Sequence, residues 1–170
     1  MKARRAIVSD APAIYALIAN FAGLGLLLPR AEEEIRRNIS HFLVHKIEGR
    51  VVSCVALERY GSDLAEIRSL AVVPEMHGRG VGAGLLEFVL AEARRREIAR
   101  VFAVTHAPDF FLRRGFAAVS RQSLTEKIER DCRGCPKRRT CNLVAVVATI
   151  MPERITLPIL NDSTAPASVV

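Results

Sequence analysis

The segment from Pro74 to Leu86 constrains this chain more than any other, because it places four glycines between a strand-like run and a helix-like run. A β-rich run, Ala65 to Val73, precedes the glycines. A run with apolar residues at helical spacing, Val81 to Arg96, begins among them and continues the chain. Bare backbone N–H groups at the start of a helix bind phosphate without help from side chains. The segment therefore predicts a phosphate-binding turn, although a turn that only packs a helix closely on a sheet would have the same pattern.

The composition limits the class of protein and of partner. The chain has 170 residues, of which half are hydrophobic, so we expect one domain with a substantial core. The net charge of +7 suits a nucleic acid or an anionic small molecule. No run of Arg and Lys interleaved with aromatic residues is present, so we expect a small-molecule ligand and no nucleic acid.

The termini and apolar runs bear on localisation. No signal peptide is visible, and the longest apolar run, Ala16 to Leu28, is interrupted by polar residues and glycines. A membrane span needs about 20 apolar residues. We therefore expect a cytoplasmic chain that does not cross a membrane and whose cysteines are reduced or bound to metal.

The order of predicted elements indicates an α/β fold with a mixed central sheet flanked by helices on both faces. Residues 1–151 form the predicted domain, including a cysteine-containing insert at about 131–141, and residues 152–170 read as a flexible tail. The predicted strands cover 4–8, 42–47, 51–58, 65–73, 101–105, 116–120 and 142–151, and the predicted helices cover 11–22, 31–41, 81–96, 109–114 and 124–131.

This order, together with the turn from His77 to Gly82, resembles the GNAT superfamily of N-acetyltransferases from Arg4 to Met151. The family binds the pyrophosphate of coenzyme A with an Arg/Gln-x-x-Gly-x-Gly/Ala turn after its fourth strand, and His77 stands where Arg or Gln is usual. The resemblance implies a GNAT fold with acetyl-CoA as cosubstrate. The residues implied to bind CoA are Leu70, Ala71, Val72, Val73, His77, Gly78, Arg79, Gly80, Val81, Gly82, Ala83, Gly84, Phe110 and Phe111.

Glu66, on the strand before the glycine turn, is the predicted general base. An amine must lose its proton before it attacks a thioester, and a carboxylate accepts that proton directly or through one water. Some GNAT enzymes carry a catalytic glutamate at this position. The alternative is a structural pair with Arg68, which lies on the same strand face. Phe111 stands where the family usually has a tyrosine acid, so a water or a hydroxyl such as Ser69 would protonate the thiolate.

Three segments, residues 27–30, 63–72 and 110–116, resemble the short form of the N-acetylglutamate synthases of arginine biosynthesis. The resemblance implies direct acetylation of the α-amine of L-glutamate, here by a lone GNAT domain that lacks the amino-acid-kinase domain of the long-form enzymes. Two substrate carboxylates need fixed cations, for which Arg is well suited. The candidate substrate-binding residues are Arg5, Leu28, Arg30, His41, Arg68, Arg139 and Thr140.

Two other functions stay open at this point. A GNAT enzyme of this size could acetylate protein N-termini, lysines or another small amine. The missing tyrosine also leaves room for a non-catalytic acyl-CoA-binding regulatory module. The oligomeric state, including a homodimer, is not determined by the sequence.

A cluster of cysteines lies near the end of the domain. Cys132 and Cys135 have CxxC spacing, and Cys141 follows six residues later. In a reducing compartment such a cluster suits metal or redox chemistry better than a permanent disulfide. A structural zinc normally has four ligands, and no local residue supplies the fourth. Structural zinc, reduced thiols and a redox switch therefore remain as alternatives.

Overall fold

The computed structural model describes residues 3–151, which form a seven-stranded sheet with the strand order β1-β2-β3-β4-β5-β7-β6. The strands are β1 (Ala3–Arg5), β2 (Phe42–Ile47), β3 (Arg50–Arg59), β4 (Leu64–Val72), β5 (Arg100–Thr105), β6 (Ala117–Val119) and β7 (Val144–Thr149). The helices are α1 (Ala11–Gly23), α2 (Glu32–Arg37), α3 (Val81–Arg95), α4 (Pro108–Leu112) and the single turn α5 (Thr125–Lys127), which continues as a π-helical turn (Ile128–Cys132).

Alternation along the strands explains why helices cover both faces of the sheet. Leu43 and Val55 pack with Leu85 and Val89 of α3 on one face. Their immediate neighbours on β2 and β3 point the other way and pack against α1 and α2. Because successive side chains of a strand face opposite sides, both faces of these strands are buried. The mixed sheet and its two helical layers confirm the predicted fold class.

The strands β4 and β5 are parallel neighbours that separate part-way along their length. They pair only through Leu64, Ala65 and Glu66 of β4 with Arg100, Val101 and Phe102 of β5. Beyond these pairs β4 continues to Val72 and β5 to Thr105, with no ladder between them among the described residues. The sheet therefore opens just past Glu66, and the opening faces the start of α3.

A β-bulge shapes the open part of β4. The register with β3 passes from Ala56↔Arg68 to Cys54↔Ala71, so β4 carries one extra residue there. Ser69 lies in this bulge with a φ of 52°, in the left-handed region that non-glycine residues seldom adopt. A bulge bends its strand and redirects a side chain, which turns Ser69 toward the opening.

The predicted elements are confirmed with small shifts at their ends. The second helix ends at Arg37 instead of His41, because the Asn38 side chain bonds the carbonyl of Glu34 at 3.0 Å, and a 3₁₀ turn (Ile39–His41) follows. The predicted tail, 152–170, lies outside the described residues. Within residues 3–151, no helix has the length and apolar content needed to cross a membrane.

Asp10 ties the first strand to the second instead of capping α1 with its side chain. Its carboxylate accepts hydrogen bonds from Arg4 at 2.8 Å, from Lys46 at 3.2 Å and from the backbone N–H of Ile7. Burial alone would raise the pKa of Asp10, but these hydrogen bonds outweigh it and lower the pKa to about 2. The ionised carboxylate therefore stabilises the edge of the sheet.

We expect Asp10→Asn to lower the free energy of unfolding by about 2 kcal/mol at neutral pH, because a depressed folded-state pKa stabilises the fold above the unfolded pKa. The difference from the wild-type chain should shrink as the pH falls from about 4 toward about 2, where the carboxylate becomes protonated in both states. Urea unfolding of both chains at a series of pH values measures this difference in the free energy of unfolding. Asp63→Asn, at a half-exposed carboxylate, is the matched control, and a constant difference across this range would contradict the assignment.

Candidate active site

A cavity of about 1230 Å³ occupies the opening between β4 and β5. Its lining comes from both diverging strands, the start of α3, the loop around Leu26 to Arg30, and the segment from Leu124 to Leu143. Most of this surface is apolar, with cationic side chains distributed around it. Such a cavity suits a large anionic ligand with an apolar reactive end.

The glycine turn forms one end of the cavity. Gly80 is the N-cap of α3 with a φ of 76°, and Gly78 has a φ of 72°, both in the left-handed region. The N–H groups of the first three residues of α3, Val81 to Ala83, have no partner within the helix, since the first helical hydrogen bond is donated by Gly84. These groups carry the positive end of the helix dipole. The backbone at this end of the cavity is therefore suited to an anion, and the phosphate-binding role of the turn stays a prediction.

Gly82 lies where the cavity meets α3. A Cβ added to Gly82 would lie 3.5 Å from Val72 Cγ2 and 3.6 Å from Phe110 Cε2, which are ordinary contacts, and its backbone is not left-handed. The fold alone therefore tolerates alanine at this position. The use of glycine is better explained by a ligand that approaches the backbone closely.

His77 makes a different contact from the one expected. Its ring nitrogen Nε2 donates to the carbonyl of Val72 at 2.7 Å, so that nitrogen is already occupied. The side chain holds the glycine turn against the end of β4, and the backbone of the turn is left to bind the anion.

Most of the predicted CoA-binding residues line the cavity, but three do not. Val73 is buried in the core on the α1 side of the sheet, Arg79 is exposed, and Gly84 faces His45. The prediction of these three residues as part of the cavity lining is therefore not supported by the structure, because Val73 and Gly84 pack within the protein and Arg79 extends to solvent. The predicted residues that do line it are Leu70, Ala71, Val72, His77, Gly78, Gly80, Val81, Gly82, Ala83, Phe110 and Phe111.

Two glutamates face each other across β3 and β4 at the floor of the cavity. Glu58 and Glu66 are directly paired in register, so their like charges need cations between them. Arg68 Nη1 donates to Glu58 Oε2 at 3.0 Å, and Arg68 Nε lies 3.4 Å from Glu66 Oε2. Arg130 donates to the other oxygen of Glu58. The predicted Glu66–Arg68 pair is thus present, as one part of a larger ionic cluster.

Glu66 is the most enclosed acid of this cluster, with a side chain only 4% exposed. Its Oε2 accepts hydrogen bonds from Tyr60 at 2.8 Å and from Lys127 Nζ at 2.8 Å. Its Oε1 accepts no hydrogen bond from residues 3–151, and Glu66 lines the cavity. One oxygen is therefore anchored by the protein, and the other is available to a water or an amine.

Asp131, in the π-helical turn that follows α5, completes the cluster. Its Oδ2 accepts from Lys127 Nζ at 2.5 Å and lies within hydrogen-bond distance of the Tyr60 hydroxyl, whose single proton is donated to either Glu66 or Asp131 at one time. Burial acts to raise the pKa of Asp131, but the hydrogen bonds from Lys127 and Tyr60 and the charge of Arg68 hold it below its usual value. Burial, the negative charge of Glu66 and the hydrogen bond to Asp131 raise the pKa of Tyr60 above its usual value. Tyr60 is therefore a neutral hydroxyl between two carboxylates.

Arg30 contributes a buried cation to the same region, and one nitrogen of its guanidinium makes no hydrogen bond. Its side chain is 8% exposed, Nη1 donates to Glu34 at 2.7 Å, and Nε donates to Ser69 Oγ at 3.1 Å. Its Nη2 is buried and lies 3.5 Å from Glu58 without forming a hydrogen bond. Burial lowers the pKa of Arg30, and the charge of Arg68 acts in the same direction. An anion bound at Nη2 would offset both effects.

Three of the predicted substrate-binding residues do not reach the cavity. Arg5 donates to Glu92 at 2.9 Å and, with His41, lines a separate shallow depression of about 560 Å³. The side chain of Arg139 is exposed and outside the cavity lining, because the turn around it directs it to solvent. The predicted residues that do line the cavity are Leu28, Arg30, Arg68 and Thr140, together with the catalytic candidates Glu66 and Ser69.

The cysteine segment also contributes to the cavity. Cys132, Cys135 and Cys141 all line it, and all three are unpaired thiols. Among residues 3–151, no group of three or more His, Cys, Asp or Glu side chains is arranged to hold a metal ion. The geometry therefore does not support the zinc alternative, and the thiol alternatives remain.

Comparison with known proteins identifies the family. The family described as Acetyltransferase (GNAT) family matches residues 13–116. An uncharacterized N-acetyltransferase of Chlorobaculum tepidum is 38% identical over 147 residues, covering 86% of this chain and 95% of that protein. The chain belongs to the GNAT acetyltransferase family. It is therefore an acetyltransferase with the GNAT fold.

Relatives of this GNAT enzyme include proteins named amino-acid acetyltransferase. One, from Mycobacterium tuberculosis, is 37% identical over 134 residues, covering 76% of each chain. A solved N-acetylglutamate synthase from Neisseria gonorrhoeae, complexed with coenzyme A and N-acetyl-glutamate, is similar with a TM-score of 0.81 and 32% identity. That match covers 88% of this chain but 35% of the synthase, so this chain spans about a third of that protein.

Several residues of the ionic cluster were not predicted as site residues from the sequence. The pairing of Glu58 with Glu66 follows from the short turn between β3 and β4, and could have been found by writing out the hairpin register. Lys127 and Asp131 have the (i, i+4) spacing of a helical ion pair within a predicted helix. Nothing local indicates that Tyr60 joins these groups, because its partners lie on other elements.

We expect Gly82→Ala to fold with unchanged or slightly higher stability, since alanine stabilises a helix by up to about 1 kcal/mol relative to glycine. The same change should weaken CoA binding by about tenfold, because the added methyl group holds the phosphate away from the backbone N–H and weakens one hydrogen bond to a charged group. Calorimetric titration with CoA and thermal unfolding measure the two effects. Gly61→Ala, at an open turn with nothing near its Cβ, is the control. Unchanged CoA affinity in Gly82→Ala would show that the ligand does not approach this position.

Proposed function

We propose that this enzyme transfers the acetyl group of acetyl-CoA to the α-amine of L-glutamate, the reaction of an N-acetylglutamate synthase. The observation that carries the proposal is the buried Arg30 guanidinium, which lines the same cavity as Glu66 and whose Nη2 makes no hydrogen bond. A cation held in this way favours an acceptor with a carboxylate, and the neighbouring carboxylate favours an acceptor with an amine. An amino acid supplies both groups at a fixed separation.

Other cations of the cavity support the proposal that the acceptor has a second carboxylate. Arg121 and Lys137 line the same part of the wall, near Thr140. Arg30 is already held by Glu34, so its fork is fixed in orientation before a ligand arrives. A dicarboxylic amino acid would place one carboxylate on Arg30 and the other on this outer wall.

Glu66 is the proposed base. Lys127 and Tyr60 fix Oε2, which leaves Oε1 to receive the proton of the acceptor ammonium directly or through one water. The Tyr60 hydroxyl also lies within hydrogen-bond distance of Asp131, whose side chain is 26% exposed. The free amine then attacks the thioester carbonyl, and no residue of the enzyme is acetylated.

The donor half of the reaction uses the open part of the sheet. The thioester would lie between the diverging strands, where backbone N–H groups near Val72 polarise its carbonyl. Phe111 is packed edge-to-face against Phe110 and Phe116 and cannot donate a proton. Ser69, whose Oγ accepts from Arg30 and retains its own proton, is the proposed hydroxyl for the departing thiolate.

The proposed reaction is the first step of arginine biosynthesis, and we propose that the enzyme is cytoplasmic. The relatives named amino-acid acetyltransferase and the solved synthase with bound N-acetyl-glutamate support this assignment. The unpaired thiols suit a reducing compartment.

Steady-state assays with acetyl-CoA and a panel of amino acids and peptides test the proposal. We expect glutamate to have the highest kcat/KM, and Arg30→Gln to raise its KM roughly 10- to 100-fold because a hydrogen bond to a charged group is lost. Arg37→Gln, at an exposed position on α2, is the matched control. Faster acetylation of a peptide N-terminus or a lysine would replace the proposal, and no turnover with any amine would indicate a binding module.

We expect Glu66→Gln to lower kcat by roughly 10²- to 10⁴-fold, the usual contribution of a general base, with little change in the KM for acetyl-CoA. Glu87→Gln, on the exposed side of α3, should leave both constants unchanged. Thermal unfolding of Glu66→Gln separates lost catalysis from lost folding. A folded variant that retains the wild-type kcat would remove Glu66 as the base.

A further inference from the structure

The cysteine segment has a chemistry that acetyl transfer does not use. Cys132, Cys135 and Cys141 are unpaired, partly exposed and open to the acceptor end of the cavity. The fourth cysteine, Cys54, is fully buried, and burial raises its pKa to about 12. The chain therefore has accessible thiols at the cavity and an inert one in the core.

The backbone brings two of the accessible thiols within bonding range. The N–H of Cys135 donates to the carbonyl of Cys132 at 3.2 Å, which closes a reverse turn. The ends of such a turn lie within about 7 Å between Cα atoms. A disulfide needs a Cα separation of about 4.4–6.8 Å. The turn therefore places the CxxC pair at a separation that a disulfide can span with little movement.

Cys132 directly follows a member of the ionic cluster. Asp131 accepts a hydrogen bond from Lys127 at 2.5 Å and contacts the Tyr60 hydroxyl. Lys127 and Tyr60 are also the hydrogen-bond partners of Glu66. Asp131 and Cys132 belong to the same π-helical turn, so tightening the backbone at Cys132 shifts the Asp131 carboxylate. The position of the thiol pair is thereby coupled to the position of the proposed base.

We propose that Cys132 and Cys135 form a reversible disulfide by exchange with a small-molecule disulfide, and that this modification lowers acetyl transfer. One thiolate attacks the reagent and releases one reagent thiol, and the second thiolate then attacks the mixed disulfide and releases the other. The chain loses two hydrogens, and the reagent is reduced to two thiols.

The test compares the reduced full chain with the chain equilibrated with oxidised glutathione. We expect the denatured chain to fall from four titratable thiols to two, with peptide mapping to Cys132–Cys135. We expect kcat/KM to fall roughly 10- to 100-fold and to recover with dithiothreitol, since a displacement of ~1 Å at a catalytic group has effects on this order. Cys132→Ser and Cys135→Ser should lose the response to oxidation relative to their own reduced forms, whereas Cys54→Ser and Cys141→Ser should keep it.

Four thiols remaining after oxidation, a bond mapped to Cys141, or a mapped Cys132–Cys135 bond with unchanged kcat/KM would each overturn the proposal. The activity measurement rests on the proposed function, whereas the thiol count does not. If the reduced chain acetylates no amino acid, the proposed function fails, and the thiol count still decides whether the disulfide forms.

Discussion

The site depends on two carboxylates that the sheet forces together. Glu58 and Glu66 are directly opposite on β3 and β4, and Glu66 is almost fully buried. Two like charges at this separation in a region of low dielectric are strongly unfavourable without compensating cations. The surrounding cations and Tyr60 supply that compensation, and in doing so they bring the segment after β6 against the open end of the sheet.

The position of this cluster relative to the opening in the sheet gives it a role in catalysis. The β4–β5 ladder ends at Glu66, so the last paired residue of β4 is also the first that a ligand in the opening can reach. The glycine turn lies at the far end of the unpaired part of β4. One strand therefore carries the proposed base at one end and leads into the anion-binding turn at the other, with the bulge at Ser69 between them.

The fold could be predicted closely from the sequence, because the signals for it are local. α3 begins at Val81 as predicted, since the glycines and the apolar periodicity both change there. The cluster could be predicted only in part, because its contacts are long-range: Lys127 is 61 residues from Glu66. The family resemblance named Arg5 and Arg30 alike, and only the tertiary structure shows that Arg5 is bound to Glu92 and that Arg30 lines the cavity with one unbonded nitrogen.

A crystal structure of the enzyme with CoA and N-acetyl-glutamate tests the central claim most directly. The account predicts the acetylated nitrogen within hydrogen-bond reach of Glu66 Oε1, or one water away, a carboxylate on Arg30 Nη2, and the pyrophosphate on the N–H groups that follow Gly80. A ligand nitrogen far from Glu66, with Arg30 still unbound, would contradict the account.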